Sequence, residues 1–255
     1  MKTFLFFTIL LIIACAPIWV IASEMKRLTV CWEAGLKPPY LMKNENTRLK
    51  GIAVEAVTEI LVRNHIEVEH IVRPHKRCEL MMKHGEVQIL PNYTWRQSHT
   101  EYALYTEPLY ETHLVLFYRK AVFPTPPQIH TSEELKQYIV GGVKGFNYSW
   151  YKGIIHLDTG ALTRRALISK LKLDRVQLAL AQKEVLMMMQ HRGEVDLREL
   201  GFVPDPVRPV RAYRILVGKS YPYAQEAKRI LDGGIAALKQ DGTFDKIVAS
   251  YLGTE

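Results

Sequence analysis

The chain has 255 residues, 48% of them apolar and 24% charged, and a formal net charge of +8. Its basic residues are scattered among acids without a basic run or a nucleic-acid motif, so no nucleic-acid partner is expected, and the charge hints at an anionic ligand or surface. Beyond the first residues, no segment approaches the roughly 18 uninterrupted apolar residues that a membrane span needs.

Lys2 precedes an apolar run from Phe4 to Ala14 that continues through Ile18–Ala22 and turns polar at Ser23-Glu24. This is the pattern of a secretory signal peptide. Val20 and Ala22 are small enough for the third and first positions before a cut, so cleavage is expected after Ala22, with Ser23 the near alternative and an uncleaved anchor the competing reading. Ile12-Ile13-Ala14-Cys15 has the outline of a lipid-attachment site but lacks the leucine usual at its first position, and the residues after it stay apolar. A soluble product is expected, about 233 residues long, with only Cys31 and Cys78 left of the three cysteines. An exported chain meets conditions that permit disulfides. Cys31 lies in an expected strand and Cys78 in an expected helix, so two buried free thiols are the expectation and a bridge the alternative. There is no Cys-x-x-Cys, no His-Glu-x-x-His and no metal spacing among the nine histidines. No metal or cofactor is expected.

Leu28–Trp32 reads as a strand, and Gly51 opens a stretch with Ala53, Val57, Ile60 and Leu61 at helical spacing. Ile66–Val72 is a second strand, Lys76–His84 a helix stopped by Gly85, and Val87–Leu90 a third strand. Such β-α-β-α-β order signals a mostly parallel sheet covered by helices. Leu114–Tyr118 is another strand, followed by the proline-rich Phe123–Pro127, and Thr131-x-x-Glu134 is a capping box. Strand and helix then alternate over Tyr138–Val143, Ala161–Lys172, Val176–Leu180 and Lys183–Arg192. After the proline cluster Pro204–Pro209, Tyr213–Val217 is a strand, and Tyr223–Lys239 and Phe244–Leu252 are helices. Two α/β units separated by two connections imply one lobe interrupted by another, with a cleft between them. The expected division is a signal peptide over 1–22, lobe 1 from 23–114 and 209–255, and an inserted lobe 2 from 115–208.

Short motifs in order carry a resemblance to the family 3 bacterial extracellular solute-binding proteins, which mostly serve amino-acid importers. Lys37-Pro38-Pro39-Tyr40 is similar to the family's Pro-Pro-aromatic loop, and Leu49–Glu55 to its glycine-led helix start. His84–Gln88 looks like its Gly-x-hydrophobic-Asp turn, and Tyr105–Tyr110 like the segment before its first hinge. Val140–Gly145 resembles the start of its second lobe, Arg192–Asp196 its later turn, and Leu238–Ile247 its C-terminal helix signature. The resemblance implies an α/β, two-lobed fold of the type II periplasmic-binding kind, each lobe a mostly parallel sheet flanked by helices, with two hinge crossings. It departs from the family at the ligand. The arginine with which amino-acid binders hold the ligand carboxylate is replaced by His99, with Arg96 one short turn earlier. The second-lobe Ser/Thr donor is replaced by Phe146-Asn147, and the acid for the amino group falls near Leu200-Gly201.

In the resemblance the loop after the first strand, the turn 74–77, the loop 92–96 and the segment 145–150 face the cleft. The candidate ligand-binding residues are therefore Tyr40, His75, Arg77, Asn92, Trp95, Arg96, Asn147 and Tyr148: aromatics to cover planar or apolar surface, arginines and amides to hold an acidic group. Packing of the rim and pairing with surface acids are the bland alternatives for these residues, and Asp196 is read as a cap on backbone amides. The expected function is periplasmic capture of a small polar, anionic or amino-acid-like ligand by a monomer. Delivery would be to an ABC permease or to a membrane sensor ectodomain. The alternative is an enzyme like the cyclohexadienyl dehydratases, which share this fold and for which Glu33, Glu101 and Glu107 are candidate acids. A structural or adhesive role fits a two-crossing fold poorly.

Overall fold

The computed structural model describes residues 25–253 apart from Asn147, so the expected signal peptide, its cleavage site and Cys15 lie outside the described residues. The chain opens with β1 (Arg27–Glu33), in which the consecutive Val30, Cys31 and Trp32 are all buried. Burial on both faces is what a central parallel strand requires. A small hairpin of β2 (Met42–Lys43) and β3 (Leu49–Lys50) leads into α1 (Ile52–Arg63), whose buried Ala53, Val57, Ile60 and Leu61 form one apolar stripe. Then come β4 (Glu67–Arg73), α2 (His75–Lys83), β5 (Ile89–Tyr93), a 3-10 turn at Gln97–Glu101 and β6 (Ala103–Tyr105). The long β7 (Tyr110–Arg119) carries the chain across to β8 (Val140–Val143), β9 (Leu157–Ala161), α3 (Arg164–Lys172), β10 (Leu178–Gln182), α4 (Lys183–His191) and β11 (Leu200–Pro204). β12 (Val210–Gly218) brings it back to α5 (Ala224–Gln240) and α6 (Thr243–Leu252).

The strands form one twisted path in the order β4-β1-β5-β12-β7-β10-β8-β9. β1 runs parallel to β4 and β5, and β8 runs parallel to β9 and β10. The two crossing strands are antiparallel to each other: Tyr110–His113 of β7 pair with Val210–Tyr213 of β12. Apolar clusters on one side of that crossing are drawn from Met25–Tyr110 and Tyr213–Leu252, and on the other from Leu114–Val203. The molecule is thus two lobes, the second inserted into the first and joined to it by a two-stranded ribbon. Among the described residues no helix is long and apolar enough to cross a membrane.

The expectation of two free thiols is overturned. Cys31 and Cys78 form a disulfide, their Cα atoms 5.8 Å apart. A strand and a helix are no obstacle, because α2 packs directly on β1 with Cys78 and Met82 turned inward, which brings the pair within bridging distance. The helix expected from Ala161 begins instead at Arg164, since Ala161 ends the edge strand β9 and Thr163 is the N-cap, its hydroxyl accepting from Ala166 N at 3.1 Å. Asp196 does cap a turn, taking Arg198 N at 3.1 Å.

Candidate functional site

Gly51 holds the first wall of the cleft in place. Its φ of 129° and the 2.5 Å that would separate a Cβ from the Tyr40 carbonyl oxygen admit only glycine. The first amides of α1 then donate to the loop, Ile52 N to Pro39 O and Ala53 N to Tyr40 O, each at 3.1 Å, so helix-end donors fix the Pro-Pro-Tyr turn. Tyr40 is buried, with its hydroxyl donating to Glu111 O at 3.1 Å and its ring stacked 3.8 Å from Tyr110. Tyr110 stacks in turn on Tyr213 at 5.0 Å. The three rings run through the crossing, one from the Tyr40 loop and one from each crossing strand. Asn92, at the end of β5 with φ of 68°, joins them: its Oδ1 accepts from Tyr110 OH at 2.8 Å, and its buried Nδ2 has no partner among the described residues. The structure therefore brings Tyr40 and Asn92 together on Tyr110.

His75 belongs to a second cluster. Its Nδ1 lies 3.3 Å from Glu33 and its Nε2 lies 3.2 Å from Glu79, while its ring stacks on Tyr93. Lys37 pairs with the same Glu33 and sits over the Tyr213 ring. His99, standing where the resemblance puts the carboxylate-binding arginine, is almost fully buried. Its Nδ1 is 2.6 Å from the Tyr105 hydroxyl and its Nε2 is 3.5 Å from Glu79. Burial holds His99 below the usual imidazole range, against the pull of Glu79. Both ring nitrogens are thus engaged within lobe 1. Trp95, 59% exposed, and the exposed Arg96 project from the loop after β5, with Arg96 N tied to Tyr105 OH at 2.9 Å. Arg77 reaches Glu86 at 3.6 Å, apart from the cluster that His75 joins. Leu200-Gly201 pair with Arg119 and Tyr118, at the end of β7 remote from the crossing.

On lobe 2, Tyr148 folds under β8, its hydroxyl accepting from Val143 N at 2.9 Å. Only a glycine at 142 allows this, because a Cβ there would lie 2.8 Å from the ring. Asn147 is outside the described residues. A cavity of about 540 Å³ opens beside Tyr148, walled by Phe146, Trp150 and Arg164 from lobe 2 and by Thr112, Arg208 and Arg211 from the crossing. A second cavity of about 780 Å³ lies against Glu111 and His113 instead. Alternate residues of β7 point to opposite faces, so the two cavities flank the crossing. At the second, the buried Glu184 accepts His113 N at 2.9 Å and His113 Nδ1 at 2.6 Å, fastening α4 to the crossing strand. Arg164 and Arg208 are not evident from the sequence, whereas Phe146 and Trp150 fall in the segment 145–150 expected to face the cleft without being among its candidate ligand residues. The available signal was the Arg164-Arg165 pair directly after a helix cap, where acids are ordinarily preferred.

The sequence matches the bacterial extracellular solute-binding proteins, family 3, over residues 28–254. The chain belongs to this family. A search of curated proteins finds no sequence relative. Among solved structures this family 3 protein is similar to the L-cystine solute receptor of Neisseria gonorrhoeae in its unliganded open form, with a TM-score of 0.72 at 16% identity over 91% of this chain and 94% of that one. It is similar at the same TM-score of 0.72 to a polar amino acid uptake binding protein from Streptococcus thermophilus, at 15% identity over 89% of this chain and 86% of that one. A histidine kinase sensor domain aligns at a TM-score of 0.57 and 19% identity, over 90% of this chain and 98% of that one. At these identities the likeness is one of fold, the two-lobed type II arrangement.

Proposed function

We propose that this family 3 protein works in the periplasm, exported by a cleavable signal peptide, as a monomer that captures a small polar, anionic solute between its lobes. Lobe 1 is 23–114 with 209–255 and lobe 2 is 115–208; the ribbon between them bends near Thr112–Val115 and Pro206–Arg211 as the cleft closes. The closed form hands its ligand to an ABC permease or presents it to a membrane receptor. The observation that carries this reading is the antiparallel crossing of β7 and β12 with a cavity set against it, walled by both lobe 2 and the crossing itself. The polar amino acid uptake binding protein among the structural neighbours supports delivery, and the histidine kinase sensor domain supports reporting. On this reading Tyr40 and Asn92 brace the cleft at Tyr110, His75 and Arg77 border the lobe 1 wall, Tyr148 meets the ligand in the cavity, and Trp95 and Arg96 reach it from lobe 1 as the cleft closes.

A thermal-shift screen of the exported chain against amino acids, dicarboxylates, small peptides, aromatic acids and polyamines tests the reading. A true ligand at about a hundred times its Kd adds about 2.7 kcal/mol and raises the melting midpoint. Small-angle scattering should then show a compaction with that ligand alone. No shift with any class, together with consumption of a prephenate-type acid, would instead identify an enzyme on this fold.

A further inference from the structure

The cavity beside the crossing has an unusual charge balance. Arg164, Arg208 and Arg211 line it, and no aspartate or glutamate does among the described residues. The first two guanidiniums lie on aromatic faces, Arg164 4.9 Å from the Phe146 ring centre and Arg208 4.8 Å from that of Trp150. Stacking fixes the plane of a guanidinium and leaves its N–H edge free for a bidentate grip on a carboxylate. Neither arginine is paired with an acid among the described residues.

Three further features point the same way. α3 begins Thr163-Arg164-Arg165 with no acid in its first turn, so two cations crowd the positive end of a helix. Burial lowers the pKa of Arg164, the cost of a charge held away from water without a counter-ion. Asp205, close in sequence to Arg208, is already committed: its Oδ1 takes Val207 N at 2.9 Å and Arg208 N at 2.6 Å, and its Oδ2 takes Tyr151 OH.

We infer that this cavity takes a small organic anion with at least two acidic groups on a planar or aromatic body, rather than an α-amino acid. The acids would meet the arginine edges, and the body would lie among Phe146, Tyr148 and the apolar wall at Leu114 and Leu180. An α-ammonium group would find no acid in this lining to receive it. The inference rests on the solute-capture reading and adds the ligand class.

The test is titration calorimetry of the exported chain with benzene-1,3- and benzene-1,4-dicarboxylate, compared with benzoate, glutamine, glutamate and arginine. A dicarboxylate should bind at least about tenfold more tightly than benzoate, and its affinity should fall with salt. Arg164→Ala and the more exposed Arg208→Ala should each weaken it about tenfold or more, with the lysine variants recovering only part because the fork is lost. Circular dichroism checks that each variant is folded. Tighter binding of an amino acid than of either diacid, or diacid affinity indifferent to both arginine variants, would overturn the ligand class while leaving solute capture standing. No binding by any compound here or in the wider thermal screen would sink both.

Discussion

The Cys31–Cys78 bridge closes a loop across a sequence separation of 47, joining β1 to α2 under the cluster that holds His75 and His99. Loop-closure entropy for a ring of that length makes the cross-link worth about 4 kcal/mol against the unfolded chain. For a protein of this size that corresponds to a fall of roughly 8–16 °C in the melting of lobe 1 when the bond is absent. Three samples separate cross-link from packing: the oxidised chain, the same chain refolded in reductant, and Cys31→Ala/Cys78→Ala. The reduced chain keeps both buried side chains, so its difference from the oxidised one reads the cross-link, and its difference from the double variant reads the lost sulfur volume. Calorimetric melts of oxidised and reduced protein within about 2 °C of each other would refute the loop-closure reasoning.

Glu184→Ala removes the acceptor of both the His113 amide and its ring nitrogen at a buried site, and should cost about 1.5–3 kcal/mol in urea unfolding, with Glu184→Gln recovering part. A loss under about 0.5 kcal/mol would mean the contact does not fasten α4 to the crossing. Arg63, and after it Thr243, hold the Asp241 carboxyl down at about 2. A depressed carboxylate contributes stability that is complete above its unfolded value near about 4 and is lost as pH falls towards 2. NMR titration should therefore place Asp241 near 2 in the parent and higher in Arg63→Ala, though still below about 4 because Thr243 keeps donating to the carboxylate; a parent midpoint at the ordinary value would dismiss the pairing.

The alternation of strand and helix was legible because the buried positions repeat at the right period: Ala53, Val57, Ile60 and Leu61 in α1, Leu167, Ile168 and Leu171 in α3. β9 was not, for Leu157–Ala161 contains Asp158 and Gly160, has no β-branched run, and exists through its pairing with β8 at the sheet edge. The disulfide was hidden for a different reason. Which face of a helix packs on which strand is tertiary information, and the spacing of two cysteines does not carry it. The site was half visible. The proline cluster 204–209 reads as a connection, yet Asp205 ties its amides into a turn that presents Arg208 over Trp150. A run of prolines announces a bend and says nothing of what the bend displays.

The replacement of the expected arginine by His99 and the arginines beside the crossing describe one redistribution of charge. A ligand-facing guanidinium at position 99 would need an open path to the cleft, whereas His99 is sealed between Tyr93, Tyr105 and Glu79, with both nitrogens occupied. The nearby cation Lys37 is also engaged, by Glu33. Among the described residues the cavity beside the crossing is lined by Arg164 of lobe 2 and by Arg208 and Arg211 of the returning connection with no acid in its wall, while on lobe 1 Arg96 is the exposed guanidinium nearest to His99 in sequence. An anion drawn to that side would touch the ribbon that joins the lobes, so its contacts would depend on the ribbon's bend as well as on the facing wall. Ligand chemistry and hinge geometry are then coupled through the same residues, and a substitution at Arg208 or Arg211 should alter closure together with affinity, while one at Arg164 should alter affinity first.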